Sequence, residues 1–299
     1  MHSFLKSLAL TLIATALSVN ALAESWVDEI DKPPEAYKLT KNDKTQIPVS
    51  IFKNLENGDC IEVIGSDAKL WIASDSSPRQ MLSHDGVSNK CIKEKDTSHN
   101  SAVIVFSNVV EWSGHWLTNR ISSPTARSVV SAVARGDEPK GIAIPLANQG
   151  GLRMVAGKRP LYLAWQGGKQ PFSVHLIKDD GQRIVFEQRN IKDRQVKIDP
   201  LSLGEGNYRI EIGDSVEMIA KNLRIVSSAE KPSPKFEAHG NKGLEDRAVL
   251  VEAVRLASQG NGWAFEAYQA ATELAPRYQP AQILQDSLEQ GDMPLPMPE

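Results

Sequence analysis

The sequence predicts a mainly β, multidomain protein that ends in a small helical unit. Short apolar runs that alternate with polar residues, separated by Gly, Asp, Asn, Ser and Pro, recur as far as residue 227 and are typical of strands. A Pro-containing stretch then interrupts this pattern, and from residue 244 the apolar residues recur at helical spacing. The length of 299 residues fits two or three domains of ordinary size.

The first 23 residues resemble a secretory signal peptide. Lys6 gives a short positive start, Leu8 to Val19 is apolar, and Ala21-Leu22-Ala23 matches the small-residue cleavage rule. We therefore expect cleavage before Glu24 and a periplasmic protein. The alternative of a membrane anchor is disfavoured, because a twelve-residue helix spans only about 18 Å of a hydrocarbon core of roughly 30 Å.

Composition excludes several classes of function. The chain is 41% hydrophobic and 24% charged, which are ordinary globular values. It has 34 Lys and Arg against 37 Asp and Glu, and this net charge of −3 lacks the basic excess of nucleic-acid-binding proteins. Beyond the leader the longest apolar run is Ala102 to Phe106, so no membrane span is expected after cleavage.

Two cysteines, Cys60 and Cys91, follow the leader. An even, small number of cysteines in an exported chain predicts one disulfide. Two buried free thiols are the alternative. The spacing of Cys60 and Cys91 matches no zinc motif, so no metal site is expected. No cofactor is predicted either.

The β-rich N-terminal domain is predicted over residues 24–118. Residues 24–40 look like a polar lead-in because they contain a charged stretch and two adjacent prolines. Strand-like alternation begins at Ile47 and continues in short runs, so the domain is expected to end near Trp116.

A connector with one short helix, over 124–136, is predicted for residues 119–140. A cleaner β pattern occupies 141–227, where seven or eight short strands separated by turns predict a β-sandwich. Asp179-Asp180-Gly181 is its strongest hairpin turn, since Asp and Gly tolerate positive φ.

The remaining residues are predicted to form a linker, a helical unit and a tail. Residues 228–243 contain prolines that prevent regular structure. The helical unit covers 244–290, with helices over 244–258, 263–274 and, more weakly, 280–288. Residues 291–299 are expected to be disordered because proline alternates with other residues there.

Three resemblances support this division. Ala264 to Pro276 resembles the second helix of a tetratricopeptide unit, with small Ala267, Ala270 and Ala271 at its packing positions. One such unit cannot bury its own face, so we expect the third helix to cover it, or the pair to dock on the sandwich or on a partner.

The middle domain resembles an immunoglobulin-like sandwich of bacterial envelope proteins in the segments Leu161–Gly168, Pro171–Ile177 and Gly206–Ile212. This resemblance implies a buried Trp165 and a corner-type hydrogen bond from Tyr208.

The first β domain is similar to the periplasmic domain of FecR-like proteins. The similarity lies in Leu55 to Asp59, followed by Ile61 and Val63, and in a strand pair near Leu70 to Ile72. The signalling mechanism of FecR regulators is not carried over, because their cytoplasmic helical segment and membrane span have no counterpart in this sequence.

The sequence contains no recognised catalytic motif, and no catalytic residue is predicted from one. The segment Glu111 to Trp116 combines two tryptophans with Glu, Ser and His. It yields the candidate binding residues Trp112, His115 and Trp116, to which the helical unit adds Trp263 and Tyr268.

The predicted function is non-catalytic binding to another cell-envelope protein, as an adaptor or sensory accessory, because interaction-type modules follow an export signal. One alternative is a glycan- or peptidoglycan-binding module in which Trp71, Trp112 and Trp116 stack on sugar rings. Another is a hydrolase built from Glu111, Ser113 and His115.

Overall fold

The computed structural model describes residues 25–74, 77–93, 107–122, 141–148, 150–180, 183–233 and 242–296. Two four-stranded antiparallel sheets form the N-terminal region, in the orders β4-β1-β6-β7 and β3-β2-β5-β8. Their strands are β1 (Ser25–Ile30), β2 (Tyr37–Thr40), β3 (Gln46–Ile47), β4 (Asn54–Leu55), β5 (Cys60–Val63), β6 (Lys69–Ser74), β7 (Gln80–Ser83) and β8 (Asn89–Cys91).

Strand β1 corrects the expectation of a polar lead-in over 24–40. All six of its residues are buried, and it lies inside its sheet between β4 and β6. Its acidic residues are tolerated in the interior because Arg79 forms ion pairs with both Asp28 and Glu29. The hydroxyl of Tyr278 also donates a hydrogen bond to Asp28 Oδ1, 2.8 Å away.

The predicted disulfide between Cys60 and Cys91 is confirmed. The two cysteines lie directly opposite each other on the antiparallel strands β5 and β8, with their Cα atoms 4.0 Å apart. Strand β8 is three residues long and pairs with β5, so the bond ties this short strand to its sheet.

Residues 107–122 form helix α1 (Ser107–Ser122), whereas the sequence suggested a β-rich segment up to Trp116. Val110, Ser113 and Leu117 are buried at the three- and four-residue spacing of one helix face. The helix continues past residue 118, so the predicted boundary at 118/119 falls inside it. The apolar run 102–106 and the helix predicted over 124–136 lie outside the described residues.

A β-sandwich follows, as predicted for 141–227. Its two sheets have the orders β12-β11-β14-β15-β9 and β10-β13. All pairings are antiparallel except that of β9 with β15. The strands are β9 (Leu152–Val155), β10 (Gly157–Ala164), β11 (Phe172–Lys178), β12 (Arg183–Ile191), β13 (Gln195–Leu203), β14 (Gly206–Gly213) and β15 (Met218–Val226).

The two aromatic residues singled out in the sandwich occupy the expected places. Trp165 is 3% exposed and meets Phe172 edge to face, with ring centroids 5.3 Å apart. Tyr208 donates a hydrogen bond to the Gly204 carbonyl oxygen at 3.0 Å. The hairpin predicted at Asp179-Asp180 is also present, because Lys178 of β11 pairs with Arg183 of β12.

The C-terminal unit contains α2 (Lys242–Ser258), α3 (Trp263–Leu274) and α4 (Gln279–Glu289), within three residues of the predicted helix ends. Helix α3 packs between α2 and α4 and also against strands β9 and β10. Helix α1 packs against α2 and α4. The helical unit therefore contacts both β regions, and α3 is covered both by its neighbouring helices and by the sandwich.

Two segments expected to lack structure have ordered contacts where they are described. In the linker, the carbonyl oxygens of Pro232 and Ser233 accept hydrogen bonds from Arg255. In the tail, Asp292 forms a 2.8 Å ion pair with Arg120 of α1. Among the helices that the structure describes, none is both long and apolar enough to cross a membrane.

Candidate functional site

Helix α1 places the candidate residues of the segment 111–116 on different faces. Trp112 and Trp116 are half-buried against the core, while His115 has a side chain 54% exposed. Ser113 is fully buried, and its hydroxyl has no hydrogen-bond partner among the described residues. The Nε2 atom of His115 lies 3.7 Å from Glu111 Oε1, on the exposed side. A hydrolytic triad of Glu111, Ser113 and His115 is therefore incompatible with this helix, since the serine faces the core.

The tryptophans proposed as sugar-stacking surfaces do not form one platform. Trp71 lies on β6 and carries the guanidinium of Arg79 over its ring at 5.2 Å. Trp116 lies on α1, where the guanidinium of Arg120 stands 5.1 Å from the ring centroid. These arginine contacts occupy ring faces that a bound sugar would need.

The two candidate residues of the helical unit are buried. Trp263 is 3% exposed, with the Arg153 guanidinium 5.3 Å from its ring, so it anchors the start of α3 to strand β9. Tyr268 is 1% exposed, and its hydroxyl donates a 2.9 Å hydrogen bond to Glu289 Oε1. Trp263 is thus part of the packing, whereas Tyr268 lies at the base of a cleft.

This cleft, of about 1010 Å³, separates the β10–β13 sheet from helices α3 and α4 and is called the sheet–helix cleft below. Its volume lies at the upper end of the range of about 300–1,000 Å³ that is usual for small-molecule sites. The sheet side consists of Pro160, Tyr162, Leu163, Gln195, Val196 and Lys197. The helix side consists of Tyr268, Thr272, Glu273, Ala275, Pro276, Gln282, Gln285, Asp286 and Glu289.

Hydrogen bonds to main-chain groups fix the two walls of the cleft relative to each other. The side chain of Gln269 on α3 accepts from the Tyr162 N–H at 2.8 Å and donates to the Tyr162 carbonyl oxygen at 3.0 Å. This amide therefore satisfies the edge of β10 as a neighbouring strand would. At the end of α4, Gln166 of the sandwich donates to the Glu289 carbonyl oxygen at 2.9 Å.

A partly buried ion pair reinforces the same junction. Glu266 on α3 is 6% exposed and forms a double contact with the guanidinium of Arg159 on β10. One of its oxygens also accepts the Val155 N–H at 3.1 Å. Because both walls are held by bonds to buried groups, the cleft is a preformed feature of this fold.

One face of α4 is polar and lines the cleft. Gln282, Gln285, Asp286 and Glu289 follow one another at the spacing i, i+3, i+4 and i+7, which places them on a single helix face. Within the described residues, no side chain donates a hydrogen bond to the Asp286 carboxylate. Glu289 accepts from both Tyr268 and Gln285 on the same oxygen, Oε1.

The charges of the cleft are unequal in sign. Glu273, Asp286 and Glu289 supply three carboxylates, and Lys197 is the one cation among the lining residues. The Lys197 ammonium lies 5.6 Å from the centroid of the Tyr162 ring, within cation–π distance. The cleft thus combines negative potential with an aromatic surface that already carries a cation.

The environment of the cleft changes two acid–base equilibria. Desolvation within the cleft, together with the neighbouring Glu289 carboxylate, raises the pKa of Asp286 to about 6, although the residue remains exposed at the cleft mouth. Burial and the same carboxylate also raise the pKa of Tyr268, so its hydroxyl stays a hydrogen-bond donor at all physiological pH values. The arrangement can bind cations and hydrogen-bond donors, and Asp286 can change its charge near pH 6.

Sequence reasoning missed this cleft, although one signal was present. The polar residues of 280–288 recur at helical spacing, which is the pattern of a solvated helix face. The opposite wall comes from β10 and β13, more than 70 residues earlier in the chain, and no local pattern indicates that pairing. Among the described residues, no group of three His, Cys, Asp or Glu is arranged to hold a metal ion.

Comparison with known proteins supplies no assignment. No family model and no curated protein matches the chain. Among solved structures, the chain is similar to domains 4 and 5 of the S-layer protein SbsC, with 10% sequence identity and a TM-score of 0.21. That match covers 69% of this chain and 99% of the other, and a similarity of this degree carries no argument about fold or function.

Proposed function

We propose that this chain is an exported, non-catalytic adaptor that binds a second protein of the cell envelope through the sheet–helix cleft. The observation that carries the proposal is the polar face of α4, which lines a preformed cleft instead of packing on this chain. A helix face that is rigid and open is suited to binding, because its side chains and main chain lose little further conformational entropy when a partner binds.

Export is supported by two independent features. The first 23 residues have the pattern of a signal peptide, and the disulfide between Cys60 and Cys91 fits an oxidising compartment. A periplasmic location is therefore part of the proposal.

The architecture supports an adaptor because the helical unit contacts both β regions. Arg247 on α2 stacks on Trp26 of β1 at 4.5 Å, while Glu266 and Gln269 on α3 bond to the sandwich. A partner held in the cleft would therefore be placed in a defined orientation relative to the N-terminal sheets.

Site-specific crosslinking in cells tests this proposal. A photo-reactive residue would replace Gln282, which lines the cleft, and in a matched control it would replace the exposed Glu205 on the β13–β14 turn. We expect one envelope protein to be crosslinked from position 282 and not from 205, and the product to decrease in the Tyr162→Ala variant. Equal crosslinking from both positions, or none from position 282, would contradict binding through the cleft.

Glycan binding is the second hypothesis from the sequence, and the structure favours it less. Trp71 and Trp116 lie on separate elements, each with an arginine over its ring. Sedimentation with purified peptidoglycan tests this alternative. Retention that depends on Trp112 and Trp116, with no change in Tyr162→Ala, would favour the glycan hypothesis over the adaptor.

A further inference from the structure

We propose that the segment bound in the sheet–helix cleft is extended and basic, with a lysine or arginine side chain held between the Tyr162 ring and the carboxylates of Asp286 and Glu289. This inference rests on the proposed function and specifies the chemistry of its ligand. It is carried by three properties of the cleft: the sign of its charge, the position of its aromatic ring and the run of consecutive strand residues on its sheet side.

The charge of the cleft selects a cationic partner. Three carboxylates and one ammonium line it, so a ligand with two positive groups would neutralise the excess. Within the described residues, Asp286 has no hydrogen-bond donor, and only the Oε1 oxygen of Glu289 accepts side-chain donors. The Asp286 carboxylate and the second oxygen of Glu289 are therefore available as acceptors for an ammonium or guanidinium group.

The Tyr162 ring shows how such a group would be held. Its face already lies 5.6 Å from the Lys197 ammonium, and no described residue forms an ion pair with Lys197. A lysine or arginine of the ligand would take the same position on the ring and would come closer to the acidic helix face opposite. Lys197 is itself exposed and can turn towards solvent to make room.

The sheet side of the cleft favours an extended ligand over a helical one. Three consecutive residues of β13, from Gln195 to Lys197, line the cleft, so the main chain of this strand contributes to the wall. An extended segment can lie along these three consecutive strand residues while its basic side chains reach α4.

Binding of this kind depends on pH because Asp286 changes its charge near pH 6. The groups that face Asp286 are Glu289 on its own helix, Glu273 and Tyr268 on α3, and Lys197 and Tyr162 across the cleft. Below pH 6 Asp286 is protonated and the cleft loses one of its three negative charges. A basic ligand should therefore bind more weakly at pH 5 than at pH 7.5, and its binding near pH 6 should release a proton.

Fluorescence anisotropy with a labelled octalysine peptide tests the inference on the exported chain, residues 24–299, with its disulfide formed. At moderate salt and pH 7.5 we expect saturable binding of octalysine and none of octaglutamate. Asp286→Asn should weaken binding about fivefold, which is the scale of one accessible charge pair, and should abolish the difference between pH 7.5 and pH 5. Tyr162→Phe, which keeps the ring, should bind as the parent does, whereas Tyr162→Ala should weaken binding.

Glu205→Gln is the matched control, because it removes one exposed carboxylate from the sandwich away from the cleft. Equal affinity of the parent chain and the Asp286→Asn variant, or a loss in Glu205→Gln as large as in Asp286→Asn, would overturn the inference. So would an absence of octalysine binding. If crosslinking from position 282 still captured a partner in that case, the adaptor function would stand and only the basic ligand would be refuted. Failure of both experiments would refute both proposals.

Discussion

Gly114 lies where α1 contacts residues 51 and 52, between β3 and β4, and its replacement by alanine tests this packing. A Cβ atom at this position would lie 1.8 Å from the Ile51 carbonyl oxygen and 2.8 Å from the carbonyl carbon. One turn later, the Ile51 N–H donates a 2.9 Å hydrogen bond to the Thr118 hydroxyl oxygen. The Ile51 region is therefore held against the helix one turn after the glycine.

The magnitude follows from two opposing effects. Gly→Ala in a helix interior that is free of contacts stabilises the fold by about 1 kcal/mol. Here the helix or residue 51 must instead move by about 1 Å, and overpacking of this kind typically costs about 1–3 kcal/mol. The movement also strains the hydrogen bond to Thr118, which contributes about 1 kcal/mol. We expect Gly114→Ala to lower the free energy of unfolding by about 2 kcal/mol.

Urea denaturation followed by far-UV circular dichroism measures this change. Gly204→Ala is the matched control, because a Cβ atom there would have no neighbour within 4 Å, and its effect should stay within about 0.5 kcal/mol. An increase in stability of about 1 kcal/mol in Gly114→Ala would show that α1 behaves as an exposed helix. That result would refute its packing against residues 51 and 52.

Three further predictions concern other parts of the molecule. Tyr278→Phe removes the hydroxyl that donates to the buried Asp28 and should lower the free energy of unfolding by about 2 kcal/mol in urea titrations. As the control for that change, Tyr162→Phe should leave the free energy of unfolding unchanged, because no described residue hydrogen-bonds to the Tyr162 hydroxyl. Replacing Cys60 and Cys91 together by serine should lower the free energy of unfolding by roughly 3–4 kcal/mol, which is the loop-closure value for a 31-residue separation. A reductant should shift the urea midpoint of the parent chain and leave that of the double variant unchanged. Asp286→Asn should stabilise the chain in thermal melts at pH 7.5 and not at pH 3. The raised pKa of Asp286 means that its ionised form is disfavoured in the folded state, and this penalty is lost below the ordinary pKa of 3.8, where the carboxyl is protonated in both states. A pH-independent difference would contradict that reasoning.

The C-terminal helices were predictable because their signals are local. Gly260, Asn261 and Gly262 all adopt positive φ between α2 and α3, which is the backbone conformation in which Gly and Asn commonly end helices. Apolar residues at helical spacing and the proline at 276 define the other limits of these helices. The same locality explains the sandwich strands and the hairpin at Asp179-Asp180, where alternation and turn chemistry agree.

Strand β1 and helix α1 were mispredicted because their environment comes from distant residues. Asp28 and Glu29 give a short segment a polar appearance, yet Arg79 pairs with Glu29 from 50 residues away and Tyr278 donates to Asp28 from 250 residues away. In α1, the run of Trp112 to Trp116 contains Ser113-Gly114, a pair that marks turns and so hides the helix in the sequence. Packing on α2 and α4 buries its apolar face and stabilises the helix.

The candidate site shows the same division. The helix that carries Gln285, Asp286 and Glu289 was predicted, and Tyr268 was singled out as a candidate residue. These residues lie across a cleft from Tyr162 and Lys197 because Gln269 bonds to the edge of β10. The sequence gives no sign of that contact. Trp112, His115 and Trp116 attracted attention through their composition, which does not indicate the face on which each side chain lies.

By itself, the sequence determined the mainly β architecture, the disulfide partners and the limits of the C-terminal helices, because alternation, spacing and turn chemistry act over a few neighbouring residues. Only the tertiary structure decided that the first strand is buried, that the helical unit contacts both β regions and that an acidic cleft opens between sheet and helix. These features depend on hydrogen bonds, ion pairs and packing between residues that are 50 to 250 positions apart. Such pairings leave no periodic signal in the chain.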